Sequence, residues 1–252
     1  MVAHLKSIFN DAGKVSLFII RFFKELFLPP YEIEEFAKQC YIIGYKSLPL
    51  VGITGFIMGL VLTLQSRPTL ADFGAISWLP GMVALSLIRE IAPVITGLIC
   101  AGKISSGIGA ELGSMKVTQQ IDAMEVSAIN PYKYLVVTRV LATTLMIPLL
   151  VIFADVVGIL GGYVGININD DVNLSRYLAQ VLASLNFIDI VPATIKTFFF
   201  GFFIGLIGCY KGYTAINGTE SVGKAATSAV VITSLIIFII DMLAVQITDI
   251  FF

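Results

Sequence analysis

The sequence predicts an all-α membrane protein: an N-terminal amphipathic helix lying in the membrane interface, followed by five transmembrane helices. Three observations carry the prediction. Hydrophobic residues make up 57% of the 252 residues and charged residues 13%, and the mean hydropathy is +0.93, which is the composition of a polytopic membrane protein. Five apolar runs are each long enough, at about 1.5 Å per residue, to cross about 30 Å of hydrocarbon. Lysine and arginine gather in the connections on one side of those runs.

At the N-terminus, Leu5, Ile8, Phe9, Ala12, Ile19, Phe23 and Leu26 recur at helical spacing, with Ser7, Asn10, Asp11, Lys14, Arg21 and Lys24 opposite. Such a helix lies in the interface plane, and Pro29-Pro30 ends it. A secretory signal does not fit, because Lys6, Lys14, Arg21 and Lys24 are dispersed and no small-residue cleavage site follows. A sixth span over residues 15–28 would be short and would carry two cations. A second amphipathic stretch, Ile33, Phe36, Ala37, Cys40 and Tyr41, completes an elbow region over residues 1–43, and residues 44–252 form the membrane domain.

The five spans read as about 44–65, 79–104, 135–166, 190–210 and 225–247. With the N-terminus in the cytoplasm, the inner segments hold Lys6, Lys14, Arg21, Lys24, Lys38, Lys46, Lys103, Lys116, Lys133, Arg139, Lys211 and Lys224, and the outer loops hold Arg67 and Arg176. That asymmetry places the C-terminus on the periplasmic side. The outer loop over 167–189 contains a short helical stretch, and neither outer loop is long enough for a folded domain. Glycines four apart, Gly55 and Gly59, Gly158 and Gly162, Gly161 and Gly165, and Gly201 and Gly205, permit close helix approach within the subunit or across a homodimer.

Beyond Lys46, Lys103 and Arg139 at the inner ends of the spans, five charged residues remain inside them: Arg89, Glu90, Asp155, Lys196 and Asp241. Arg89 and Glu90 each cost roughly 2.5 to 3.5 kcal/mol at a bilayer centre, so compensation must come from the protein or its cargo. Counting from the outer end of each span places Arg89, Glu90, Asp155 and Asp241 about 14 to 18 Å deep and Lys196 about 10 Å deep, one layer of the outer half. Neighbours at i and i+1 do not share a helix face, so Arg89 and Glu90 require partners on other helices. The layer is either a stabilising network or a polar patch beneath a lipid headgroup or gate, and Lys196 alone could snorkel. In the first outer loop, over 67–78, Leu70, Phe73 and Trp78 form either an interfacial anchor or an apolar lip for acyl chains.

Other chemistry finds little support. His4 is the single histidine, so no metal site is expected, and Cys40, Cys100 and Cys209 lack CxxC spacing. The net charge of −1 gives no reason to expect nucleic acid. The segment from Gly218 to Ala225 nearly spells a phosphate-binding loop, but Ala225 stands where a hydroxyl should ligate Mg²⁺, and a membrane span precedes it instead of a strand. Any ATP is therefore expected to be used by another polypeptide. After the second span, Val117, Ile121, Met124 and Ala128 form an apolar stripe against polar Lys116, Gln119, Gln120, Asp122 and Glu125, and Asn130-Pro131 ends the helix. Such a helix can lie on the membrane or dock in a partner's groove.

Several motifs in order resemble the MlaE-like permeases, the membrane subunits of Mla/Mce-type lipid ABC transporters. They are Arg89-Glu90-x-x-Pro93, Ala101-Gly102, the run from Ala110 to Thr118, Gln120-Ile121-Asp122-Ala123, Asn130-Pro131 and Arg139-Val140-Leu141-Ala142. The run from Glu220 to Thr227 resembles the family's second cytoplasmic motif, with Lys224 where arginine is common. The resemblance extends from Glu32 onward and implies a homodimer in the bacterial inner membrane. It also implies a cytoplasmic ABC ATPase that uses the ATP and Mg²⁺, with no cofactor in this chain, and a periplasmic MCE-domain protein. A non-catalytic permease is expected, moving lipids, often phospholipids, between inner and outer membranes. A coupling helix over about 111–128 is implied to seat on the ATPase, with Glu111, Lys116, Gln120, Asp122 and Glu125 as its polar contacts. The lipid-pathway candidates are Arg89, Glu90, Lys196, Asp241, Asp155, Leu70 and Phe73. Intramembrane charges would also suit an ion-coupled secondary transporter, although five spans do not divide into two equal inverted repeats. An intramembrane lipid-modifying enzyme would lack a nucleophile or metal constellation.

Overall fold

Every regular element among the described residues is helical. The computed structural model describes residues 2–29, 31–215 and 218–251, with the side chains of 2–12, 249 and 251 excepted. The expected N-terminal positions Leu5, Ile8, Phe9 and Ala12, with Lys6, Ser7, Asn10 and Asp11, fall outside the described side chains. In order the helices are α1 (Val2–Leu26), α2 (Ile33–Ile43), α3 (Leu48–Asp72), α4 (Leu79–Ser86), α5 (Ala92–Cys100), α6 (Ser106–Val117), α7 (Gln120–Val126), α8 (Thr138–Asn167), α9 (Leu174–Ser184), α10 (Phe187–Tyr213) and α11 (Gly218–Phe251). π-helical turns at Leu87–Ile91 and Ala101–Ser105 join α4, α5 and α6, and a third, Tyr132–Val137, leads into α8.

Five stretches are long and apolar enough to cross a membrane: Ile33–Asp72, Ile76–Val117, Tyr132–Asn167, Phe187–Tyr213 and Gly218–Thr248. The chain is a multi-pass membrane protein. All five are longer than the sequence reading. The loop expected over 67–78 is mostly helix, because α3 continues through Pro68 to Asp72. Proline there removes one donor close to the helix end, where water or neighbouring groups can satisfy the freed carbonyl.

The chain divides into two units. The first comprises the residues up to Tyr41 together with 101–143 and 202–233. In it, α1 packs chiefly through the buried Phe18 and Phe22, while Phe23, 47% exposed, stacks on Phe202 at 6.1 Å from the edge of the contact. The cause is aromatic partnership: Phe18 sits edge-on to Tyr132 at 5.0 Å and Tyr210 at 5.4 Å, and Phe22 to Phe202 at 5.7 Å. Tyr132 donates to the Phe18 carbonyl at 2.5 Å, and the Arg21 guanidinium lies 4.4 Å from the centre of the Tyr132 ring. Leu17 and Ile20 are left exposed on another flank of α1.

The second unit comprises residues 42–100, 144–201 and those from Ser234 on. Its closest approach is between α3 and α8. A Cβ added at Gly59 would lie 1.8 Å from the Gly158 carbonyl oxygen, and one at Gly161 would lie 2.1 Å from that of Phe56. The spaced glycines of α3 and α8 therefore serve contact within this chain. A buried core joins Leu79, Val83 and Ala84 of α4 to Ile166, Tyr177 and Val181. The Tyr177 hydroxyl donates to the Ile159 carbonyl at 3.0 Å, and burial pushes its pKa up to about 12. Arg67 grips Asp170 through two hydrogen bonds of 2.8 and 3.0 Å, which hold the Asp170 carboxyl below its usual range. That pair stabilises fully above the ordinary carboxylate pKa and weakens as pH falls through the lowered one. Leu70 packs against the same core, whereas Phe73 is 81% exposed.

Candidate functional site

Lys196 is the centre of the charged layer. It lies on α10 and its side chain is only 4% exposed, engaged by carboxylates of neighbouring helices, an arrangement that matches a charged network and not the alternative of a lone snorkelling lysine. Its ammonium donates to Glu90 Oε2 at 2.9 Å and to Asp241 Oδ1 at 2.8 Å. Arg89 pairs instead with Asp189, Nε to Oδ1 3.6 Å. The adjacent residues Arg89 and Glu90 thus find different partners, as their helix positions require. Both sit in the π turn Leu87–Ile91, where i→i+5 spacing brings successive side chains nearer one direction than an α-helix does, and such turns are frequent at functional sites.

Asp189 was not among the sequence candidates. It sits in the first turn of α10 and accepts from the Asn186 backbone N–H at 3.0 Å, half of a capping box. A signal existed: Asp189 is seven residues before Lys196, two turns along one helix face. Asp155, by contrast, does not join the layer. It projects from α8 into a separate pocket of about 180 Å³ bordered by Pro93, Ile190 and Thr194, and its Oδ1 has no hydrogen-bond partner among the described residues. Depth counting fixes height in a bundle but not direction around the helix, which is why it grouped Asp155 with the others.

Beside the charges lies an apolar groove of about 970 Å³ between α10 and α11. Val191, Ile195 and Phe199 form one wall, and Ile240, Leu243 and Ile247 the other. A small polar cleft bordered by Arg89, Glu90, Asp189 and Lys196 adjoins it, and Lys196 lines both. Glu90 and Arg89 are each 45% exposed, whereas Asp241 and Asp189 are 19% and 12% exposed. Two cations, Arg89 and Lys196, face three carboxylates, Glu90, Asp189 and Asp241. An amphiphile entering the groove would meet hydrocarbon-like walls and, at one end, both acceptors and a half-exposed guanidinium.

The connector expected as one helix over 111–128 is two. Gln119 adopts the left-handed conformation (φ 60°) and separates α6 from α7, and Ala128 does so again (φ 61°) just beyond α7. Glu111 is on α6 and accepts from Arg139 Nη2 at 2.8 Å. Arg139, read as an inner-loop cation, is 2% exposed; it and Glu111 form an internal tie. Lys116 and Asp122 pair across the break at 2.7 Å. Ile121 is fully buried, while Gln120, Asp122, Glu125 and Val126 are exposed. The near-phosphate loop is also helix: Gly218 opens α11, and Glu220 pairs with Lys224 one turn on at 2.7 Å, so no loop is present to wrap a phosphate.

The family model described as "Permease MlaE" matches residues 36–247. The chain belongs to the MlaE permease family. The match contains all five charged residues of the cluster and starts after α1. MlaE relatives include a probable ABC transporter permease protein of Rickettsia bellii, 40% identical over 243 residues, covering 96% of this chain and 93% of the relative. A probable ABC transporter permease protein of Synechocystis is 37% identical over 202 residues, covering 80% and 77%. The intermembrane phospholipid transport system permease protein MlaE of Haemophilus influenzae is 34% identical over 209 residues, covering 82% and 80%.

Proposed function

We propose that this chain is the non-catalytic permease subunit of an ABC transporter that moves phospholipids between the inner and outer membranes. The observation that carries the proposal is the apolar α10–α11 groove with the Arg89–Glu90–Asp189–Lys196–Asp241 cluster at its side. Acyl chains suit the groove, a lipid phosphate suits the half-exposed Arg89, and headgroup donors suit the excess of carboxylates. The name of the Haemophilus relative supports the choice of phospholipid. In the assembly, two copies of this chain sit in the inner membrane with cargo between them, a cytoplasmic ATPase consumes ATP, and a periplasmic MCE-domain protein exchanges lipid with the permease. The exposed apolar residues Val191, Ile195, Phe199, Leu243 and Ile247 are covered there by lipid or by the second copy.

The test is lipid transport by the reconstituted complex, normalised to folded protein. Arg89→Gln and Glu90→Gln are each expected to lower the rate about tenfold or more, because the first leaves the largely buried Asp189 without its cation and the second leaves Lys196 with Asp241 alone. Normal rates in both would make the cluster purely structural.

Two further outcomes follow from the cytoplasmic side that the cation asymmetry predicts for α7. Charge reversal by Asp122→Lys with Glu125→Lys should cost several kcal/mol at a docked interface. The ATPase should then be lost on copurification while the permease still inserts, and unchanged complex yield would remove α7 from the interface. In a variant without native cysteines, Ser175→Cys should react with an impermeant thiol reagent from the periplasmic side and Ser127→Cys should not. Reversed labelling would invert the topology.

A further inference from the structure

We propose that the pocket between the α1–α2 junction and the start of α8 is a second, non-cargo phospholipid site in which Lys133 binds the phosphate of an amine-bearing lipid. Lys133 lies on the π turn Tyr132–Val137 and is 6% exposed. Its ammonium donates to the Leu28 carbonyl and lies 5.5 Å from the centre of the Tyr31 ring. An ammonium has three donors, and among the described residues no carboxylate lies within ion-pair distance of this one. The buried carboxylate nearby on α2, Glu35, is already engaged by Lys38 at 3.2 Å, Gln39 at 2.7 Å and Tyr134 at 3.2 Å. A cation held out of water without a counter-ion is costly, so an anion is what the site lacks.

The pocket decides which anion. Lys133 lines a cavity of about 240 Å³ whose other walls include Leu26, Ile33, Phe36, Val137 and Leu141. A free inorganic ion gains nothing from apolar walls, whereas a phosphate ester carrying hydrocarbon fills both halves. The volume takes a headgroup and the first methylenes, and the remaining chain runs out past Tyr31 and Ile33, which are 62% and 70% exposed. Glu32 also lines the cavity, and a carboxylate beside the phosphate seat favours a headgroup that carries an amine. The pocket shares no lining residue with the α10–α11 groove, so its lipid is distinct from cargo.

Native mass spectrometry of the purified permease, titrated with phosphatidylethanolamine or phosphatidylglycerol, tests the site. Wild type is expected to retain one lipid per chain that Lys133→Gln and the cavity-filling Leu141→Trp each bind about tenfold more weakly, the first by removing the charged hydrogen bonds to phosphate and the second by occupying the space of the methylenes. Lys133→Arg should retain the lipid, and Glu32→Gln should erase the preference for the ethanolamine headgroup. Leu141→Trp keeps the test decisive if Lys133→Gln fails to fold. Unchanged lipid retention in folded Leu141→Trp and Lys133→Gln would overturn the site. Displacement of the lipid by millimolar inorganic phosphate would overturn its assignment to a lipid in favour of a free anion.

Discussion

Lys196→Met is expected to abolish lipid transport and to destabilise the permease by roughly 3 kcal/mol, the low end for removing one member of a buried ion pair. Two carboxylates depend on this one ammonium, at 2.9 and 2.8 Å, but they would suffer unequally. Glu90 is 45% exposed and borders the polar cleft that also holds Arg89, whereas Asp241 is 19% exposed and lines neither the cleft nor the groove. The double variant Lys196→Met with Asp241→Asn should therefore recover most of the lost stability, because the uncompensated charge is gone. It should not recover transport, because the layer has lost both its donor and an acceptor. Thermal denaturation and transport measured on the same preparations separate the two effects, and joint recovery would show that the charges serve folding alone.

Gly59→Ala is expected to have the largest effect on stability, about 3 kcal/mol or more. The added Cβ would sit 1.8 Å from the Gly158 carbonyl oxygen, and the obstacle is backbone in the middle of α8, which no rotamer change can move. Separation of α3 from α8 is the only relief, and it opens contacts along both helices, since Gly55, Gly161 and Gly165 make similar approaches to their partners. Gly13→Ala makes the control, because nothing lies within 4 Å of a Cβ there. Yield of monodisperse protein from detergent, compared between the two variants, checks the difference; equal yields would contradict the packing.

Much of the fold was legible because lipid imposes a simple rule: a chain without water must bond its own backbone, and a helix of sufficient apolar length does so. The five spans, the helix before Pro29, the short helix between the third and fourth spans and the partners required by Arg89 and Glu90 all followed from that rule and from helical period. Direction around a helix was less legible. Asp155 and Asp241 have similar depths, yet one meets Lys196 and the other a separate pocket. Phe18 and Phe22 were overlooked because an amphipathic pattern reports one apolar face, whereas α1 also packs on a cluster of aromatic rings. The break at Gln119 was hidden for a different reason. A left-handed glutamine carries no sequence mark of the kind a glycine would supply, so 111–128 read as one helix, whereas Glu111 stands on α6, bonded to Arg139 and 54% exposed, on the far side of the break from Asp122 and Glu125.

The groove beside the charged cluster is tested most directly by photocrosslinking in the purified, delipidated permease, with a photoreactive residue at Leu243 in the groove wall or at Leu235, which is 58% exposed on α11 and lines no part of the groove. Added phospholipid is expected to form an adduct at Leu243 and not at Leu235, and the adduct should fall about tenfold in the Lys196→Met with Asp241→Asn background, whose stability is largely restored. Equal adducts at the two positions, or an adduct at Leu243 that ignores the loss of the charges, would contradict a groove that holds lipid by its headgroup.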